Sequence, residues 1–159
     1  MRIAVLGNEA VGNLIGGLLA VHGEQVFIIC NDDMHINAIA NQGLWIQGAA
    51  GIINARLQAG YQLVDRPDIC LLNTSLTDIV PALTEYKELL KDVPVVTLQS
   101  SPRAADYAAS VLGKQYILSA AVLFGANLSA GHVTYPVAGN ILLVSPSTRP
   151  ASRSRSSRS

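Results

Sequence analysis

Aromatic residues make up only 5% of this chain and charged residues 14%, and no apolar run approaches the roughly 18 to 20 residues that a bilayer span needs. Gly, His, Asn or a charge interrupts each apolar stretch, which excludes a helical membrane protein. With so little charge and 50% hydrophobic residues, the bulk of the chain is also excluded from the disordered class. Cysteine is scarce too. Cys30 and Cys70 sit inside apolar runs without ligand-like spacing, which excludes a disulfide framework or zinc site and predicts buried, reduced thiols. The start MRIAVLG has one basic residue before a short β-rich run and no small-residue cleavage site behind a long apolar segment, so a cytoplasmic protein without a secretory signal is expected. An excess of basic charge is missing as well. The formal charge is zero, and with Arg153, Arg155 and Arg158 set aside in the terminal ASRSRSSRS, residues 1–149 carry eight basic against eleven acidic side chains. That balance excludes a nucleic-acid surface. Residues 149–159 are too short and too polar to bury a core and are expected to be a disordered Ser/Arg-rich tail, after a single domain over 1–148.

What is present alternates between strand-like and helix-like segments. RIAVL is a continuous apolar run of the kind buried on both faces of a sheet. GNEAVG follows, and then a helical pattern carrying Val11, Ile15, Leu18 and Leu19, with Gly23 as its stop. QVFIIC reads as a second strand, closed by Asn31, Asp32 and Asp33 before a helix with Ile36, Ile39 and Ala40 that ends at Gly43. LWIQGAAGIINARLQAGYQLV alternates around Gly48 and Gly51 and predicts a small hairpin outside the main sheet. DICLLNT is a further buried strand, followed by a helix with Ile79, Leu83, Tyr86 and Leu90 on one face and Pro81 near its first turn. VPVVTLQS, PRAADYAASVL and QYILSAAVLFGANL give a strand, a helix and one or two more strands. HVTYPV and NILLVS predict an antiparallel pair around Gly139 and Asn140. The fold class expected is α/β: a Rossmann-type, doubly wound, mainly parallel sheet with antiparallel edge strands.

In such a sheet the ligand site lies beyond the carboxyl ends of the strands, where the first strand meets its helix. Gly7, Asn8, Glu9, Ala10, Val11 and Gly12 occupy that turn. In a GxGxxG turn the first glycine makes the bend, the second lets the backbone approach a pyrophosphate, and the third lets helix and strand pack closely. Here Gly7 and Gly12 fill the first and third places, and Glu9 stands in the second. Its charge near two phosphates, at an effective dielectric of about 20, is worth a few kcal/mol of repulsion unless the side chain swings to solvent. The other reading of GNEAVG is a strand-to-helix turn with packing glycines. At the end of the second strand an acidic side chain accepts ribose hydroxyls and an arginine accommodates a 2′-phosphate. The sequence offers Asn31, Asp32 and Asp33 and no basic residue, which favours NAD over NADP; the alternative for either aspartate is a helix cap.

Taken in order, these motifs resemble the ketopantoate reductase (2-dehydropantoate 2-reductase) family over about residues 1–145. VLGNEAVG matches the family's opening strand and GAGAVG, and Gly16 to Ala20 match its GGLLA-like helix. HINAIANQGLWIQG, DICLLNT, VVTLQSS and AGHVTYPVAGNILLVS are similar to its later segments. The resemblance implies an NADPH-dependent oxidoreductase with an N-terminal Rossmann domain and a helical C-terminal domain. It also implies a cofactor-binding set made of the turn residues, Asn31 and Asp32, Thr74 and Ser75, Gln99 and Ser100, and Ala126.

The departures from the family fall at the chemistry. Ser75 stands where the family carries a lysine after its fourth strand, and Ser100 stands for the asparagine of its QNG motif. Ser75 supplies a hydroxyl for a ribose but no ammonium, and it equally suits a helix N-cap. The family's basic partner for a 2′-phosphate has no counterpart beside Asn31. The catalytic lysine and substrate-binding groups belong to the helical domain, which this chain is not expected to contain. Lys87, Lys91 and Lys114 read as solvated surface, and His22, His35 and His132 form no relay. The sequence thus predicts an NADP- or NAD-binding domain of a reductase of 2-dehydropantoate or a related 2-keto acid, inactive alone. Its expected partners are a helical substrate domain or a second copy of the chain. The alternative is a non-catalytic dinucleotide-binding or interaction module of the same fold.

Overall fold

A computed structural model describes residues 1–48, 51–99, 101–135 and 141–144; Ser100 and the Ser/Arg tail expected over 149–159 lie outside these residues. In chain order the elements are β1 (Arg2–Leu6), α1 (Ala10–Val21), β2 (Gln25–Ile29), α2 (Asp33–Gln42), β3 (Leu44–Gly48), β4 (Gly51–Ala55) and β5 (Gln58–Gly60). Then come β6 (Ile69–Leu72), α3 (Ile79–Glu85), β7 (Val95–Thr97), α4 (Pro102–Leu112), β8 (Ile117–Val122), β9 (Asn127–Ser129), β10 (His132–Tyr135) and β11 (Ile141–Val144). Seven strands form the main sheet in the order β11-β8-β7-β6-β1-β2-β5. Every neighbouring pair from β8 to β5 is parallel, and β11 closes the β8 edge antiparallel. Counted along the chain, the parallel strands lie 3-2-1-4-5-6, the Rossmann order, with its reversal beside β1.

The central strands are apolar at nearly every position because both faces are covered. Ile3, Val5, Val26 and Ile28 point into a core with α1, Ile39 of α2 and residues of a second sheet. Ala4, Leu6, Ile29 and Leu72 point the other way, into a core closed by Ile79 and Leu83 of α3 and Ala104 and Ala108 of α4. The predicted face of Ile79, Leu83, Tyr86 and Leu90 is buried as a set, although regular helix stops at Glu85 and turns carry Tyr86 and Leu90 inward. Each core holds one free, buried thiol: Cys30 on the α1 side and Cys70 on the α3 and α4 side.

The second sheet has the order β4-β3-β10-β9, with β3 and β10 parallel and the other pairs antiparallel. It lies over α1, which is therefore packed on two sides. A Cβ on Gly16 would sit 3.0 Å from Val5 of the main sheet, and one on Gly17 would sit 2.6 Å from Ile46 of the second. The paired glycines let one helix approach two sheets.

Two expectations are corrected here. The segment after β4 does not stay outside the main sheet, because β5 pairs parallel with β2 at Phe27, Ile28 and Ile29 and becomes its edge strand. HVTY and NILLV do not pair with each other: β10 lies between β3 and β9 in the second sheet, and β11 pairs with β8 in the first. Both segments have strand periodicity, but periodicity carries no information on which sheet accepts them. Gly139 and Asn140 lie outside the described residues.

Candidate functional site

Past the last apolar residue of β1, the chain bends at Gly7, whose φ of +114° is open to glycine and strained for other residues. Its amide extends the ladder to Ile29 of β2 at 2.9 Å, and the amide of Asn73 does the same toward Leu6 at 2.8 Å. The carboxyl ends of β1, β2 and β6 thus meet at one point, and α1 starts there.

Asn73, buried at the end of β6, clamps the turn. Its Oδ1 accepts from the Gly12 amide at 3.1 Å and its Nδ2 donates to the Glu9 carbonyl at 2.8 Å. A Cβ at Gly7 would meet the Asn73 carbonyl oxygen at 2.1 Å, and one at Gly12 would meet the Asn73 amide carbon at the same distance. Both glycines are therefore required by this asparagine whatever the turn binds. Glu9 differs. It is the N-cap of α1 with extended backbone (φ −87°, ψ 156°) that any residue adopts, and its side chain is exposed and caps nothing. The first amides of α1, at Ala10 and Val11, are left uncapped by Glu9, at the positive end of the helix dipole.

Beside the turn, Asn13 and His35 are fully buried. Asn13 Nδ2 donates to the Glu9 carbonyl at 2.9 Å and to Asn8 Oδ1 at 3.2 Å. His35 Nε2 lies 2.7 Å from Asn13 Oδ1, and its Nδ1 accepts from the Gly131 amide at 2.9 Å. Burial pushes the His35 imidazole below its ordinary pKa, against a weaker opposing pull from the Asp32 carboxylate. Asp32 Oδ1 accepts from the His35 amide at 3.1 Å, so this aspartate is the N-cap of α2, as one of the two readings had it. Its Oδ2 accepts from Asn8 Nδ2 at 3.4 Å, and Asn31 beside it is exposed.

Thr74 follows Asn73 with its Oγ1 buried and without a hydrogen-bond partner among the described residues. Its carbonyl accepts from Gln99 Nε2, which joins the ends of β6 and β7. Ser75 occupies the N-cap of the 3-10 turn Leu76–Asp78, but its hydroxyl donates to the Asp78 carboxylate at 2.7 Å and accepts from no backbone amide among the described residues. Ala126 packs half-buried into the α1-side core. The described members of the predicted set thus gather along the carboxyl ends of β1, β2, β6 and β7, apart from Ala126, which contributes packing. Lys87, Lys91 and Lys114 are exposed. Asn13, Asn73 and the role of His35 were not legible in advance; an asparagine directly after a buried apolar strand, as in DICLLNT, is the one local signal available.

Elsewhere, a cavity of about 470 Å³ lies between the amino ends of β1 and β2 and the loop at 61–67, bounded by Arg2, Phe27, Arg56, Leu63 and Arg66. It is at the opposite end of the strands from the glycine turn. Among the described residues no His, Cys, Asp and Glu cluster suits a metal ion, and no helix is long and apolar enough to cross a membrane.

The model of the family described as ketopantoate reductase PanE/ApbA matches residues 3–145. The chain is 37% identical over 101 residues to the 2-dehydropantoate 2-reductase of Pyrococcus horikoshii, covering 63% of this chain and 33% of that protein. The solved PanE/ApbA family ketopantoate reductase from Ralstonia eutropha superposes with a TM-score of 0.83 at 28% identity, over 90% of this chain and 49% of that one. D-mandelate dehydrogenase, solved with NADH and anilino(oxo)acetate, gives a TM-score of 0.81 at 24% identity, over 90% of this chain and 48% of that one. The chain spans about half the length of these structures and a third of the curated relative. A match running from Ile3 to Ser145 takes in the glycine turn, both sheets and every described helix, and the chain belongs to the ketopantoate reductase PanE/ApbA family.

Proposed function

We propose that this chain is the dinucleotide-binding half of a ketopantoate-reductase-like oxidoreductase, a reductase of 2-dehydropantoate or a related 2-keto acid. The observation that carries the reading is a glycine turn with uncapped helix amides at the switch point of a 3-2-1-4-5-6 parallel sheet. The residues present fit such a ligand. The Ala10 and Val11 amides would face the pyrophosphate. Asp32, whose Oδ2 holds only a 3.4 Å bond, and Asn31 would face a ribose. Thr74, whose methyl group lies beside Gly7, carries a buried hydroxyl that has no partner among the described residues. Ser75 and Gln99 lie at the ends of the later strands, and Ser100 and Ala126 belong to the set by the family resemblance. A bound dinucleotide supplies hydride; this chain binds and orients it. NAD is favoured over NADP because no basic side chain neighbours Asn31 in sequence. Two buried thiols suit a reducing compartment, so a cytoplasmic location is part of the reading.

Reduction of a keto acid also needs a proton at the forming hydroxyl. The lysines of this chain are exposed and far along the sequence from the turn, so the donor is assigned to a helical partner, in cis or from another chain. The isolated chain should give no turnover with 2-dehydropantoate and NADH or NADPH. Measurable cofactor oxidation would overturn that assignment. Glu9 in the second glycine place favours a second reading, a fold kept for interaction after its cofactor site closed. Calorimetric titration with NADH and NADPH, for the native chain and Glu9→Gly, separates them. Native binding, stronger for NADH, supports a working site with Glu9 turned to solvent. Binding by Glu9→Gly alone means a site switched off by one side chain, and no binding by either supports the interaction module.

A further inference from the structure

Four residues close a polar ring next to the glycine turn: Asp32 accepts from the His35 main-chain amide at 3.1 Å, and side-chain bonds run from His35 to Asn13, from Asn13 to Asn8 and from Asn8 back to Asp32, at 2.7, 3.2 and 3.4 Å. The orientations of Asn13 and His35 are set by backbone groups. The Glu9 carbonyl can only accept, so Asn13 turns its NH2 toward it and its Oδ1 toward His35. The Gly131 amide can only donate, so Nδ1 of His35 carries no proton, and Nε2 donates to Asn13. The imidazole is thus neutral, in one tautomer, with both nitrogens engaged. One nitrogen leads to the glycine turn and the other to the bend between β9 and β10, 96 residues along the chain from His35. Within α2, the cap is made by Asp32 and the buried residues are His35 and Ile39, so His35 is the polar one of the two side chains that α2 turns inward.

We propose that His35 is a positioning residue for the dinucleotide site. Acting through Asn13, it holds Asn8 and the Glu9 carbonyl, and with them the turn from Gly7 to Gly12, in the form that receives the ligand, so that the turn need not be ordered on binding. The inference rests on the reading of the turn as a dinucleotide site. The Asn13 arm does the positioning, and the Gly131 arm fixes the tautomer that makes the arm a donor.

Two substitutions separate the arms. His35→Gln places an amide NH2 near the Nε2 position and keeps a donor for Asn13 while leaving Gly131 without its acceptor. His35→Asn places its polar group near Nδ1 and does the reverse. Each leaves one buried group unpaired, so both should lose similar stability to urea. NADH affinity should nevertheless stay within about threefold of native in His35→Gln and fall about tenfold or more in His35→Asn. In ligand-free 15N spectra the amides of Gly7 to Gly12 should shift in the Asn variant and hold in the Gln variant. Equal losses of affinity in both variants, or turn amides that move together in both, would overturn the proposal. So would a native imidazole whose 15N signals place the proton on Nδ1, a result that needs neither variant to fold. If the native chain binds no NADH but the turn amides split as described, the positioning role stands and the dinucleotide reading falls.

Discussion

Asn73 does at the scale of one residue what a longer loop would otherwise require. It is buried, satisfies an amide of α1 and a carbonyl of the turn, and fills the space that two glycines leave. Asn73→Ala should destabilise the fold by about 2 to 4 kcal/mol in urea unfolding, because a buried donor and acceptor lose their partner together. Asn73→Asp keeps the acceptor for Gly12 but turns a carboxylate oxygen toward the Glu9 carbonyl, and should be no milder. His35 makes a separate prediction. Its folded pKa is lowered, so below the ordinary value of about 6.5 the unfolded chain takes up a proton that the folded chain refuses. Stability then falls as the pH drops from about 6.5 toward the folded value, with a limiting slope of about 1.4 kcal/mol per pH unit, and this contribution is absent above that window. Urea midpoints at pH 7.5 and 5.5 should separate more in the native chain than in His35→Gln, which lacks the group while keeping every carboxylate.

Among the elements, α1 shows why small residues can face both ways. Gly12 meets Asn73 through the rigid part of a clamped side chain, whereas Gly17 meets the terminal methyl of Ile46, which can turn aside. Gly12→Ala should therefore cost more stability than Gly17→Ala, by about 1 to 2 kcal/mol in the same assay, and should alone disturb the turn. The same contrast explains what was legible in the sequence. β1, β2 and β6 announced themselves because burial on both faces makes an unbroken apolar run, and the glycine turn followed from its place after the first of them. β5 did not, since a three-residue edge strand reading QAG leaves no run to find. HVTY and NILLV differ for another reason: they are near neighbours in sequence but not in a sheet, because β10 has its partner in β3, more than 80 residues away. The ring around His35 was hidden in the same way. Its members lie on two segments and its Gly131 contact on a third, and contacts between distant segments leave no spacing to read.

For the whole molecule, the decisive fact is that a complete Rossmann sheet is present while its relatives are about twice as long. Leu123, just beyond β8, and Ile141 of β11 are exposed apolar side chains near the antiparallel edge. Sedimentation at tens of micromolar should accordingly show species heavier than the 16.8 kDa monomer, and Leu123→Glu should shift them toward it. A different use follows from the placement of the thiols. Burial raises both, Cys70 to about 12, so at pH 8 neither reacts with a disulfide reagent until its surroundings open. Variants with one cysteine each, Cys30→Ala and Cys70→Ala, should label at equal rates if the two layers unfold together. Unequal rates would show which face of the sheet breathes first. One thiol in each core makes the chain its own two-channel gauge of opening, with no foreign probe required.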